Sequence, residues 1–319
     1  MQARVAILPV DETSGAGLAQ SDALARRTRI AEAIQASGGQ VVELQEANAV
    51  VWLMVTDSAP LVDALQTYPS VEWVQLPWAG VETFVDEGLF QSDVRFTSAK
   101  GAFGPMVAEN VVMHVLVALR NGVTQARTPR WCPLEPVALA GKRVTILGAG
   151  GIAVHVAKLL KQFDCKVTVV RRTDAVLANA DITVTTDALD RVLPSTDVLV
   201  VALPLTPDTA GMIAERELNL MPRGSVLVNV ARGAHVVTSD LVEALRSGQI
   251  GAAGLDVTDP EPLPDDHELW SMNNVFVTSH RANSAEEATS CLVERIKVNV
   301  TRFQDGRPLD GEVDRVSGY

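Results

Sequence analysis

The sequence predicts an α/β protein made of two doubly wound domains, and three observations carry that reading. A chain of 319 residues, 47% of them apolar, holds enough core-forming side chains for two domains of ordinary size. Short β-type runs alternate with helix-type stretches along the chain, the signature of parallel strands joined by crossover helices. The alternation breaks once, at a proline-bearing stretch, and then restarts.

In the first hundred residues, β-type runs fall at 5–8, 41–44, 50–55 and 71–76, with helical patterns at 24–36 and near 61–65. Residues 106–119 form a long apolar segment whose only ionisable groups are Glu109 and His114. Its length and lack of turn residues predict a buried helix bridging two domains. Pro129, Pro133 and Pro136 fix φ and remove backbone donors, so 128–139 is expected to run as an irregular connection. A second series then places strands at 143–147, 166–170, 198–202, 225–229, 252–256 and 275–278, a doubly wound sheet of six. Residues 285–303 read as a last helix that can return to the first domain. The domains are thus expected at 1–99 with 285–319, and at 100–284. There is no internal repeat and no low-complexity tract.

Composition excludes several functions. A formal charge of −12 without any Lys/Arg-rich run argues against a nucleic-acid partner, which needs clustered cations. Cys132, Cys165 and Cys291 are distant from one another and form no CxxC pair, so free thiols are expected rather than a disulfide framework. No Cys/His/Glu cluster has the spacing of zinc ligands, so no metal is expected. The start MQARVAILPV lacks the features of a signal peptide, and no apolar run reaches roughly 18 residues. A cytoplasmic protein without membrane contact is the expectation.

The segment RVTILGAGGIA sets Gly148, Gly150 and Ala153 on a G-x-G-x-x-G/A spacing between a β run and a helical stretch. Gly148 permits the tight turn, Gly150 lets backbone amides approach a pyrophosphate, and Ala153 lets the helix pack closely on the strand. A Rossmann dinucleotide site is the reading; a glycine-rich turn without a ligand is the alternative. About 20 residues further on, NAD-binding folds carry an acid for the ribose hydroxyls. Here the second strand ends in Arg171 and Arg172, which can pair with a 2′-phosphate, so NADP is favoured over NAD. Two solvated arginines at a strand end are the alternative.

Four phrases in the second half matter together: LPLTPDTAGMI, SVLVNVARGAHVV, AAGLDVTDPEPLP and NNVFVTSH. With QLPWAGVE early on and the closing GEVDRVSGY, they make the chain resemble the D-isomer-specific 2-hydroxyacid dehydrogenases over essentially its whole length. The resemblance implies a flavodoxin-like substrate domain, a Rossmann cofactor domain, and a homodimer formed through the cofactor domains. It also implies reduction of a small 2-keto acid to the D-2-hydroxy acid, with glyoxylate or hydroxypyruvate first among candidate substrates and 3-phosphoglycerate as the alternative.

By the same resemblance Arg232 binds the substrate carboxylate and polarises the carbonyl, a task suited to a planar, permanent cation. His280 is the implied general acid/base, because an unperturbed pKa of about 6.5 lets imidazole exchange protons near neutrality. Glu261 is its implied partner, favouring the protonated ring and setting its tautomer. Asp256 is assigned to the cofactor, with a turn-initiating role as the alternative. Further implied cofactor contacts are Gly151, Ile152, Leu203, Pro204, Thr209, Val230 and Ala231. Trp78, Ala79 and Gly80 match the family segment that holds the substrate, with plain packing as the alternative for Trp78. His114, His155, His235 and His267 carry no implied role.

Departures from the family pattern are TSH for TPH, the extra cation Arg281, and Ala153 as third fingerprint residue. A non-catalytic dinucleotide-sensing scaffold, like the family's corepressors, remains the second function class. Formate dehydrogenase is disfavoured because that branch pairs its histidine with glutamine.

Overall fold

The computed structural model describes residues 1–9, 20–54, 58–81, 84, 89–91 and 93–314. It divides into two compact units, Met1–Phe103 with Ser284–Tyr319, and Gly104–Asn283. Among the described residues no helix is long and apolar enough to cross a membrane.

The first unit is built on β1 (Arg4–Leu8), β2 (Gln40–Val41), β3 (Ala49–Trp52), β4 (Trp73–Gln75) and β5 (Arg95–Thr97), with helices α1 (Gln20–Ala36) and α2 (Ala59–Thr67) between them. The strands are all parallel in the order β2-β1-β3-β4-β5, the flavodoxin-like winding. Strand β5 is absent from the sequence reading: its three residues are too few to show a period. The run expected at 41–44 ends at Val41, because residues 44–46 close a 3₁₀ turn instead. The run at 50–55 stops at Trp52, and Val55 lies outside the described residues.

A closing helix, Ala285–Gln304, belongs to this unit. It starts at a capping box: the Ser284 hydroxyl accepts from Glu287 N–H, and the Glu287 carboxylate accepts from Ser284 N–H. Leu292, Val293, Ile296, Val300 and Phe303 fall at helical spacing and pack against Val5, Ile7, Ile30, Ile34 and Trp73. Each such side chain contributes about 1.5–3 kcal/mol through burial, so Ile296→Ala would cost about 2–5 kcal/mol once the cavity is included.

The second unit carries β6 (Arg143–Leu147), β7 (Lys166–Arg171), β8 (Ile182–Thr185), β9 (Val198–Val201), β10 (Ser225–Asn229), β11 (Ile250–Leu255) and β12 (Val275–Val277). Its helices are α3 (Gly104–Leu119), α4 (Gly122–Arg127), α5 (Gly151–Lys161), α6 (Leu189–Val192), α7 (Glu215–Leu220) and α8 (Thr238–Ser247). The sheet has seven strands, not the expected six, in the order β12-β11-β10-β9-β6-β7-β8. The additional strand, β8, is an edge with Ile182 exposed, and at four residues it is too short for its alternation to stand out in a hydrophobicity reading. Between β6 and β9 the winding reverses, and ligands of such sheets bind beyond the carboxyl ends of the strands at that switch point.

Candidate active site

The glycine loop lies at that switch point. Gly148 follows β6 with φ +109°, and a Cβ there would stand 2.2 Å from the Ala202 carbonyl oxygen, so only glycine lets the ends of β6 and β9 come this close. Gly150 caps α5, and nothing within 4 Å occupies the place of its missing side chain. The leading N–H groups of this 11-residue helix have no intrahelical acceptor, and its first turn carries no acid. Gly151 and Ile152 are partly buried, and Ala153 is fully buried against the sheet. An open amide cradle at a helix N-terminus fits a dinucleotide pyrophosphate. Arg171 ends β7 with its guanidinium donating to the Ala175 carbonyl at 2.9 Å, and exposed Arg172 follows.

The loop after β9 holds Leu203, Pro204 and Thr209. The Thr209 hydroxyl donates to the Pro204 carbonyl and accepts from the Thr206 N–H, both at 2.8 Å, which fixes the turn. At the end of β10, Asn229 reverses the chain with both amide atoms: Oδ1 accepts from Ala231 N–H and Nδ2 donates to the Arg232 carbonyl. Val230 and Ala231 are buried there, while Arg232 is partly exposed and donates from Nη1 to the Ala231 carbonyl at 2.7 Å. Gly233 follows with no room for a side chain, since a Cβ would lie 1.9 Å from the Thr258 carbonyl oxygen. That contact seats the arginine loop on the segment carrying Glu261.

His280 and Glu261 meet: imidazole Nδ1 is 2.8 Å from carboxylate Oε1, and both side chains are about half exposed. His280 adopts a left-handed φ of 52°, unusual for a residue with a side chain, and its N–H donates to the Asp256 carbonyl at 2.8 Å. Asp256 is 2% exposed, and its Oδ1 accepts from the Thr278 hydroxyl and from Arg281 N–H. A buried carboxylate thus wires together the turn that presents the imidazole. Asp256 engages through these contacts the loop that follows β12, in addition to any part in cofactor binding.

The family model for the D-isomer specific 2-hydroxyacid dehydrogenase NAD binding domain matches residues 110–282, more than half of the chain. The chain belongs to the D-isomer specific 2-hydroxyacid dehydrogenase family. A glyoxylate reductase of Aeropyrum pernix is 30% identical over 283 residues, 85% of this chain and 84% of that protein. A D-isomer specific 2-hydroxyacid dehydrogenase of Xanthobacter autotrophicus, solved with NADPH and MES, is 29% identical with a TM-score of 0.82 over the full length of both chains. The NADPH-dependent glyoxylate/hydroxypyruvate reductase of Sinorhizobium meliloti, solved with NADP and sulfate, is 28% identical with a TM-score of 0.79, again over both full chains.

In this D-2-hydroxyacid dehydrogenase the first unit offers Trp78, Ala79 and Gly80 just beyond β4. Trp78 is partly buried, with its ring centroid 6.0 Å from that of Phe103, and its carbonyl accepts from Ala99 N–H. Below the loop, fully buried Gln75, Thr97 and Asn299 join in one hydrogen-bonded network tying β4 and β5 to the closing helix. Glu82 of the QLPWAGVE phrase and residues 315–319 of the closing phrase lie outside the described residues.

Two histidines left without a role by the sequence stand in this dehydrogenase behind the site residues. His114, on α3, is fully buried with Nε2 3.1 Å from the Thr278 hydroxyl. His235 is fully buried between Arg232 and Pro204. By contrast His267 only caps a 3₁₀ turn, and His155 packs beside Gly104. A buried histidine has no periodic signature of its own; the one available signal was His114 as an ionisable group inside an otherwise apolar helix.

Proposed function

We propose that this enzyme reduces a small 2-keto acid of the glyoxylate or hydroxypyruvate type to its D-2-hydroxy acid, with NADPH as the preferred donor. The observation that carries the reading is the His280–Glu261 pair, 2.8 Å between Nδ1 and Oε1. With Nδ1–H held by the carboxylate, Nε2 is the nitrogen that exchanges a proton with substrate, and it has no partner among the described residues.

Gly148, Gly150, Gly151 and Ile152 hold the pyrophosphate on the α5 amides. Leu203, Pro204, Thr209, Val230, Ala231 and Asp256 form the remaining cofactor wall, and Arg171 and Arg172 meet the 2′-phosphate. That two of the similar structures were solved with NADPH or NADP supports this preference. The bound nicotinamide supplies the hydride for the keto carbon. His280 delivers its Nε2 proton to the keto oxygen, Glu261 stabilises the ring and its tautomer, and Arg232 anchors the carboxylate and offsets negative charge as it develops on the oxygen. Trp78, Ala79 and Gly80 bind the substrate, the small Ala79 and Gly80 letting backbone amides approach its carboxylate. The working form is a homodimer through the cofactor domains.

The test is an absorbance assay at the nicotinamide band with NADPH and NADH against glyoxylate, hydroxypyruvate, pyruvate, bulkier keto acids and 3-phosphohydroxypyruvate. Turnover fastest with NADPH and the two smallest hydroxy- or aldehyde-bearing acids is the expected result. Cofactor binding without turnover of any keto acid overturns the reading in favour of a dinucleotide-sensing scaffold.

A further inference from the structure

The imidazole of His235 is completely buried and touches two functional loops at once. Its Nε2 is 3.2 Å from the Pro204 carbonyl oxygen, and its Nδ1 receives the Arg232 backbone N–H at 3.2 Å. A carbonyl only accepts, so Nε2 carries the proton; Nδ1 is then the lone-pair nitrogen that the Arg232 N–H requires. The Arg232 carbonyl, close by at 2.9 Å from Nδ1, is served separately by Asn229 Nδ2 and by the His235 backbone N–H. This tautomer gives the Pro204 carbonyl a donor and the Arg232 N–H an acceptor through one ring.

Few side chains offer a donor at one end and an acceptor at the other on a rigid plane. Here that plane spans from the loop after β9, where Thr209 also donates to Pro204, to the backbone of Arg232. Backbone contacts run alongside: Ile213 N–H donates to the His235 carbonyl and Gly211 N–H to that of Ala234. The main chain thus has its own support, and the ring is an additional link whose two ends are Pro204 and Arg232.

We propose that His235 is a positioning residue, setting the Arg232 guanidinium relative to the loop of Pro204 so that substrate carboxylate and cofactor are held in register. It rests on the reading of Arg232 as the substrate-binding arginine. A displacement of about 1 Å at such a group lowers rate by up to about 100-fold, which sets the size of the expected effect.

The experiment is a double-mutant cycle on kcat/KM for glyoxylate with NADPH, using His235→Phe, Arg232→Ala and the double variant, each checked by thermal unfolding. Loss of about 10–100-fold in His235→Phe is expected, largely in KM for the keto acid, with less than about 3-fold further loss when His235→Phe is added to Arg232→Ala, since no guanidinium remains to aim. His235→Asn, whose Oδ1 can stand where Nδ1 accepts, should recover part of the loss. If His235→Phe does not fold, His235→Gln, whose terminal amide keeps a donor near Pro204 while its Oε1 lies away from where Nδ1 accepts, takes its place in the cycle. An unchanged kcat/KM in the folded His235 variant, or losses that multiply through the cycle, overturns the positioning role. An Arg232→Ala enzyme of unchanged activity overturns instead the role of Arg232 and with it the proposed function.

Discussion

His114 donates to Thr278 across 3.1 Å, two residues before His280. Thr278 has one hydroxyl proton and gives it to Asp256, so the contact with His114 requires the imidazole Nε2 to carry a proton. Its other nitrogen, Nδ1, is buried without a hydrogen-bond partner among the described residues. A charge there would be poorly solvated, and burial pushes the His114 pKa down to about 4, against the opposing pull of Asp256.

That shift has a definite sign for stability. The folded-state value lies below the unfolded one of about 6.5, so between the two the unfolded chain binds more protons and stability rises with pH. The contribution is fully present above about 6.5 and is lost as pH falls towards 4. Denaturant unfolding at several pH values across that interval should show a steeper loss for the wild type than for His114→Leu; equal slopes would remove His114 as the cause.

Replacing His280 with Asn removes the proposed proton donor while leaving the glycine loop intact. Activity should fall by about 10²–10⁴-fold, with NADPH binding, followed by nucleotide fluorescence, retained. Glu261→Gln keeps a hydrogen-bonding partner for Nδ1 but not the charge, so a smaller loss is expected. Steady-state kinetics on both variants decide this, and an active His280→Asn enzyme would contradict the mechanism.

Gly233→Ala tests how the arginine loop is seated. A methyl group would meet the Thr258 carbonyl carbon and oxygen and the Asp259 nitrogen at 2.4 Å or less, all of them backbone atoms. The two loops must separate, at a cost of about 1–3 kcal/mol or more, and thermal unfolding should report it together with lost activity.

Arg171→Asp should move cofactor preference towards NADH, because a carboxylate at the end of β7 repels a 2′-phosphate and accepts from ribose hydroxyls. The ratio of kcat/KM for NADPH to that for NADH measures it. A ratio unchanged by the substitution would assign the preference elsewhere.

Much of the fold was legible because its signals are local. The glycine spacing after β6, the apolar runs of β9 and β10, and the heavily apolar helix α3 each announce themselves within a dozen residues. Strands β5 and β8 were not legible, since the first is only three residues long and the second is a four-residue strand at the sheet edge. Glu261 and His280 could be paired only through resemblance, for nothing in their spacing of 19 residues says that their side chains touch.

The amino-acid sequence by itself determined the kind of protein: a two-domain α/β dehydrogenase of this family, with a glycine loop for a dinucleotide and an arginine, a glutamate and a histidine in family phrases. Tertiary structure alone decided which groups stand behind them. His114 reaches Thr278 across 164 residues and His235 reaches Pro204 across 31, and hydrogen bonds over such separations exist only after helix and sheet have packed. Hydrophobic patterning specifies where a segment is buried, whereas the partner of a buried polar atom depends on the register between segments, which no single stretch of chain encodes.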